Sequence, residues 1–165
     1  MPLRLEGSCH CGAVRFALDS HTPQPYQRCY CTVCRKTAGG GGFAINIMGV
    51  AASLAVEDPD GARRVYRAEF VDAAGERFTS SAERSFCSLC AAALWLWDPR
   101  WPELIHPFAS AVDTALPVPP EGTHILLESR APWVVPQLGA GDACFDDYPA
   151  QSIEEWHRAR GLWVE

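Results

Sequence analysis

The stretch Cys29-Tyr30-Cys31-Thr32-Val33-Cys34-Arg35-Lys36 sets three thiols within six residues, with two positive charges directly after them. Thiols separated by one residue face the same way along an extended segment, because side chains alternate there. One tight turn then brings the third alongside. Zinc asks for this gathering: it takes sulfur ligands at about 2.3 Å in a tetrahedron, so the sulfurs must come within about 4 Å of one another. Three protein ligands leave one corner open, the mark of a catalytic zinc, whereas a structural zinc is closed by four. Cys29, Cys31 and Cys34 are therefore the candidate open site. Four further thiols, in Cys9-His10-Cys11 and Cys87-Ser88-Leu89-Cys90, have the complement of a closed one. The middle residue of an extended pair points away from its neighbours, so His10 is expected to stay outside the ligand set. Of the eight cysteines only Cys144 has no motif, and it is expected to be a buried free thiol.

Eight cysteines would equally permit four disulfides in a secreted chain. Residues 1–6 lack the apolar core of a secretory signal, and Cys9 follows almost at once. The expectation is a cytoplasmic protein with reduced thiols, where clustered cysteines point to metal or redox chemistry. A redox Cys-x-x-Cys motif wants a βαβ setting, and none surrounds Cys87. The length suits one domain over residues 1–165. No apolar run approaches the ~18 residues of a membrane span. The net charge is −6; seven thiolates and two Zn²⁺ ions would take it to about −9. Such an acidic chain is ill suited to neutralising phosphates, and the paired histidines that close a DNA-binding zinc finger are absent. Neither nucleic acid nor a membrane is an expected partner.

The elements that must position these thiols read as short strands. Thirteen Gly and thirteen Pro are spread along the chain and favour strands and turns over long helices. Val14, Phe16 and Leu18 alternate with Ala13, Arg15 and Ala17, which predicts a strand with one buried face launched from the first cysteine pair. Further strands are predicted over residues 43–48, 63–70, 92–97, 104–112 and 124–128. Gly39-Gly40-Gly41-Gly42 reads either as a flexible bend or as bare backbone for close approach of a ligand. One helix is expected, over residues 152–160, with Ser152 as N-cap, Glu155 completing a capping box and Gly161 as the stop. Trp95 and Trp97 alternate along a strand and read as core. His106 and His124 fall on strands as packed or surface residues, either within reach of the second metal, while His21 and His157 read as peripheral. The fold class is mainly β.

Gly7-Ser8-Cys9-His10-Cys11-Gly12-Ala13-Val14-Arg15-Phe16, the three-cysteine stretch at 29–36, Arg84-Ser85-Phe86-Cys87-Ser88-Leu89-Cys90 and Arg130-Ala131-Pro132-Trp133 together resemble the glutathione-dependent formaldehyde-activating enzyme family, to which centromere protein V also belongs. The resemblance implies a β-tent fold of several small antiparallel sheets around zinc. It implies a structural zinc on Cys9, Cys11, Cys87 and Cys90 and an active-site zinc on Cys29, Cys31 and Cys34, two Zn²⁺ per chain. The implied reaction joins glutathione to formaldehyde as S-(hydroxymethyl)glutathione, classed as a carbon–sulfur lyase for the reverse direction. The implied partners are a small thiol and an aldehyde; Arg35 and Lys36 read either as solvated charges that offset the thiolates beside the knuckle or as groups that attract the carboxylates of glutathione. Because one scaffold can serve several functions, a zinc-dependent thiol carrier, or a zinc-stabilised interaction module without turnover, is the alternative.

Overall fold

The computed structural model describes residues 1–165. In chain order the elements are β1 (Leu3–Ser8), β2 (Arg15–Ser20), β3 (Gln27–Cys29), α1 (Thr32–Thr37), β4 (Ala44–Ile45), β5 (Gly49–Val50), β6 (Ala55–Glu57), β7 (Arg63–Tyr66), β8 (Glu69–Val71), β9 (Arg77–Thr79), β10 (Glu83–Cys87), β11 (Ala93–Trp97), β12 (Leu104–Pro107), β13 (Thr123–Ile125), β14 (Ala143–Cys144) and α2 (Ile153–Ala159). Strand accounts for 34% of the chain and helix for 13%, which makes the fold mainly β.

The strands form four small sheets. β1, β2 and β6 make one; β5, β12, β11, β10 and β7 make the largest; β8 and β9 form a separate hairpin. These three are antiparallel throughout, as expected. The fourth, ordered β14-β13-β3-β4, departs from that expectation: β13 runs parallel to both β3 and β14. Parallel neighbours need a long crossover, and the whole of the largest sheet lies in the chain between β3 and β13.

Period-two alternation builds the first sheet. Leu5 and Gly7 of β1 and Phe16, Leu18 and Ser20 of β2 point inward, while Arg4 and Glu6 point out. Gly7 has a steric reason, since a Cβ there would lie 2.3 Å from the Phe16 ring and 2.4 Å from the Ala111 carbonyl oxygen. Leu5, Val14, Phe16, Leu18, Ile47, Leu94, Trp95 and Ile105 join Cys9 and Cys87 in the main core. A second core gathers Cys29 and Cys34 with Ala44, Phe108 and Ile125. Each cysteine group is thus seated in its own apolar packing.

Several boundaries differ from the sequence reading. β1 was not anticipated. The strand expected over 63–70 is two, β7 and β8, which belong to different sheets; buried Ala68 sits at the switch and its carbonyl accepts from the Ser80 amide at 2.8 Å. The strands expected over 104–112 and 124–128 each end early in a 3₁₀ turn, at Ala109–Ala111 and Leu127–Ser129. α2 is the expected C-terminal helix, with both bonds of the Ser152–Glu155 capping box in place and Gly161 at φ 65°. A second helix, α1, was not expected, and it carries part of the site.

Candidate metal centres and the cavities beside them

Two groups of thiols converge. In each, all the sulfur atoms lie within 4.8 Å of one another: Cys9, Cys11, Cys87 and Cys90 in the first, Cys29, Cys31 and Cys34 in the second. Both could hold a metal ion. All eight cysteines are unbridged. In the first group Cys9 and Cys11 stand 3.5 Å apart and Cys11 and Cys87 3.7 Å, close to the ~3.8 Å edge of a tetrahedron with 2.3 Å metal–sulfur bonds.

The first group is made by two tight turns. Between β1 and β2, Cys9 exchanges backbone hydrogen bonds with Val14 and Gly12, and the Val14 amide also donates to Cys9 Sγ at 3.3 Å. The turn needs a left-handed residue, supplied by Gly12 at φ 77°. Between β10 and β11, the Ala91 amide donates to the Cys87 carbonyl at 2.8 Å, and here the left-handed residue is Ala91 at φ 60°. Backbone N–H groups of Ala92 and Cys11 pull the Cys90 thiol down to about 6, so this group already favours negative charge on one sulfur.

The second group is set by the junction of β3 with α1. Cys29 ends β3, held between Ile125 of β13 and Ala44 of β4. Cys31 is the N-cap of α1, and Cys34 lies in its first turn; the Cys34 amide donates to Cys31 Sγ at 3.2 Å. The tight turn expected after Cys31 is therefore a helix start, which aligns the i and i+3 sulfurs. Hydrogen bonding from Cys29 and Cys34, together with that amide, holds Cys31 down at about 2. The same contacts, and burial, push Cys29 far up. One sulfur of the three carries charge readily and its neighbours resist, a conflict that a dication among them would relieve. Tyr30 turns the other way: its hydroxyl meets His124 Nδ1 at 2.8 Å, and His124 Nε2 meets Asp142 at 3.2 Å.

No fourth His, Cys, Asp or Glu joins the second group. His10 is exposed and lies outside the first group, as expected. His106 and His124 stay outside the second. Burial pushes His106 below the usual histidine range, and His124 is committed to Tyr30 and Asp142. Two expectations fail. His157 is fully buried at the base of α2 and not peripheral, because its ring bonds the Ile153 carbonyl and the Gln24 amide. Cys144 is exposed on the edge strand β14, which has nothing packed over it there.

Arg35 and Lys36 follow Cys34 on α1 and line a cavity of about 690 Å³ with Gly39, Gly40, His10 and Asp113. Gly39 has a reason to lack a side chain, since a Cβ would lie 2.2 Å from the Phe43 carbonyl oxygen. Three residues escaped the sequence reading. Arg84 of β10 directs Nη1 at Cys34 Sγ at 3.7 Å, and Asn46 directs Nδ2 at the same sulfur at 4.0 Å. Tyr148, 69% exposed overall, has its hydroxyl raised by burial and then by the negative charge of the three sulfurs. Arg84 had one local signal, its place three residues before Cys87; Asn46 and Tyr148 had none.

A family model for the glutathione-dependent formaldehyde-activating enzyme matches residues 4–128, which include both cysteine groups. The chain belongs to that family. A Halomonas elongata protein named "Putative glutathione-dependent formaldehyde-activating enzyme" is 54% identical over 158 residues, covering 96% of this chain and 97% of that one. A solved structure of a Rhodobacter sphaeroides protein matches with a TM-score of 0.51 at 22% identity, over 68% of this chain and 91% of that chain, a likeness of fold. The part matched by the formaldehyde-activating family runs from β1 through β13, so every cysteine but Cys144 falls inside it, whereas Tyr148 and α2 fall outside. No helix is long and apolar enough to cross a membrane.

Proposed function

We propose that this member of the formaldehyde-activating family joins glutathione to formaldehyde, reversibly, with zinc at both cysteine groups. The observation that carries the reading is the asymmetry between them: four sulfurs meet in one, three in the other, with no further ligand to close it. The donor sets fit. Thiolates are soft ligands that select zinc, and the sulfur separations in the first group are those of a tetrahedral site. Cys9, Cys11, Cys87 and Cys90 would hold a structural ion, and Cys29, Cys31 and Cys34 an active-site ion. Bound at the second group, zinc supplies a Lewis-acidic open corner that lowers the pKa of an incoming thiol.

The chain's own groups do the rest. The Cys34 amide, Arg84 and Asn46 direct N–H donors at sulfur and hold negative charge there. Arg35 and Lys36 draw the glutathione carboxylates into the larger cavity. Arg35 Nε and Asn46 Oδ1 are buried without partners and fit a ligand that supplies them. Buried Cys29 and Cys34 keep bulk water from the inner side of the site. In the addition, a C–S bond forms, the carbonyl π pair passes to oxygen, and the proton lost by the thiol returns to that oxygen through solvent. No oxidant or reductant is needed. The reverse cleavage is carbon–sulfur lyase chemistry, and reduced thiols suit a cytoplasmic setting.

Elemental analysis and exchange NMR test this together. Two zincs per chain, with faster exchange between free and glutathione-bound formaldehyde than in buffer, are expected. Zinc-free folded protein, or exchange no faster than in buffer, would overturn the reading.

A further inference from the structure

A second cavity, of about 390 Å³, opens beside the three-cysteine group. Its walls are mainly apolar, with Tyr66 of β7 at the rim, Phe86 of β10, Ala93 of β11 and fully buried Phe108, and Thr37 and Ser85 also on the lining. Its one charged group is Arg84, the same side chain whose Nη1 lies 3.7 Å from Cys34 Sγ. Arg84 makes no ion pair with any carboxylate, and its side-chain hydrogen bond is the one to Cys34. The cavity also meets the larger one that holds Arg35 and Lys36, since Thr37 and Ala93 line both. One chamber carries the two cationic side chains Arg35 and Lys36; the other is a mainly apolar slot with a single cationic donor, the usual make-up of a small-molecule site.

Formaldehyde does not account for that slot. On the scale of about 30 Å³ per water-sized group, a molecule of two heavy atoms needs on the order of 60 Å³. We infer that the slot lined by Tyr66, Phe86 and Phe108 binds the hydrocarbon chain of a longer aliphatic aldehyde, with its carbonyl oxygen on Arg84. The inference rests on the thiol–carbonyl reading of the site and deepens it by naming the carbonyl class. Arg84 then joins the sulfur group to the electrophile: its guanidinium donates to the oxygen that gains the electron pair as the C–S bond forms. The balance is that of the formaldehyde reaction, thiol plus aldehyde giving a hemithioacetal, with the thiol proton ending on oxygen. Tyr66, 45% exposed and paired with Arg84 across the sheet, is the apolar mouth through which the chain enters.

The test uses zinc-loaded protein and two readouts. Binding of 1-hexanol, which cannot react, is followed by ligand-observed NMR on the wild type and on Tyr66→Ser, which removes the apolar rim on the face that carries Arg84 and Phe86. Acceleration of hemithioacetal formation over the uncatalysed rate is measured with glutathione and either formaldehyde or hexanal. The wild type is expected to bind 1-hexanol and to accelerate hexanal at least about 10-fold more than formaldehyde, within what a few buried methylenes supply. Tyr66→Ser is expected to weaken 1-hexanol binding at least about 5-fold and to reduce the hexanal-to-formaldehyde ratio by a similar factor. No binding of 1-hexanol, or binding unchanged by the substitution, would overturn the inference. Good catalysis with formaldehyde and none with hexanal would overturn it while leaving the formaldehyde reading intact. Binding of 1-hexanol with no aldehyde accelerated would sink the thiol–carbonyl reading and the substrate role with it.

Discussion

Cys87 and Cys31 are chemically alike and differ in what surrounds them. Cys87 is fully buried in the main core, at the turn joining β10 to β11, where its sulfur meets that of Cys11. Cys31 is half-buried at a helix cap, and its neighbours in the group come from within six residues. Cys87→Ser therefore removes a ligand from the site that fastens distant parts of the chain, and its expected cost is on the order of 3 kcal/mol, or about 10 °C in Tm. Cys31→Ser is expected to shift Tm by half as much, roughly 5 °C, while zinc content falls from two per chain to one. Thermal melts with metal analysis check both, and equal destabilisation would refute the division of roles. The two left-handed turn positions give a second contrast. Gly12 at φ 77° pays no Cβ penalty and Ala91 at φ 60° does. Gly12→Ala should destabilise by about 1 kcal/mol and Ala91→Gly should be neutral or stabilising by up to about 1 kcal/mol, by denaturant midpoint. That one knuckle uses alanine where the other uses glycine has no explanation in the contacts around Ala91.

α2 shows how an element can carry a titration. Trp156 stacks on Tyr26 with ring centroids 3.7 Å apart, and Arg160 bonds Glu121 through Nε at 2.7 Å. Beneath them His157 donates from Nδ1 to the Ile153 carbonyl at 2.8 Å and accepts at Nε2 from the Gln24 amide at 3.2 Å. Only the neutral ring can do both. Burial, opposed by the Ile153 bond and helped by Arg160, sets its pKa below the usual 6.5. The folded value lies below the unfolded one, so this stabilisation is complete above pH about 6.5 and is lost as pH falls through the folded pKa. Acidification from pH 7 should loosen α2, seen as a change in Trp fluorescence, and in His157→Leu that part of the pH dependence should vanish with a loss of about 1–3 kcal/mol. An unchanged pH profile in the variant would refute the assignment. Elements like this differ in how plainly the sequence announces them. The capping box of α2 and the alternation of β2 are local signals and were legible. α1, six residues with no amphipathic stripe, was not, although Cys31 caps it and Arg35 and Lys36 suit its last turn. The strand expected over 63–70 hid a change of sheet, and β13 beside β3 is a pairing across nearly a hundred residues that no local pattern announces. The convergence of the thiols into two groups was legible because residue type and spacing specify it; Arg84 meeting Cys34 across fifty residues was not.

At the scale of the molecule the two cysteine groups differ in span. The first joins the β1–β2 turn to the β10–β11 turn, so that an ion there closes a loop from Cys9 to Cys90; the second closes only Cys29 to Cys34. If cross-linking is valued by the chain entropy it removes from the unfolded state, closing about 80 residues contributes about 4.5 kcal/mol, and closing six about 2 kcal/mol. The first group also lies in the main core with Val14, Leu94 and Trp95, whereas the second has a smaller core of its own and only three sulfurs, which under the zinc reading would leave a corner open to a chelator. Both effects act in one direction, and they predict that zinc leaves in two stages. Titration with a chelator should release the first equivalent with near-UV circular dichroism nearly unchanged, and the second together with cooperative unfolding. Glutathione added beforehand should slow the first release by occupying that corner, and leave the second alone. Simultaneous loss of both ions with unfolding would mean that the three-cysteine site is as deeply built into stability as the four-cysteine one. The open site could then not be a separable reaction centre carried on a zinc-fastened frame.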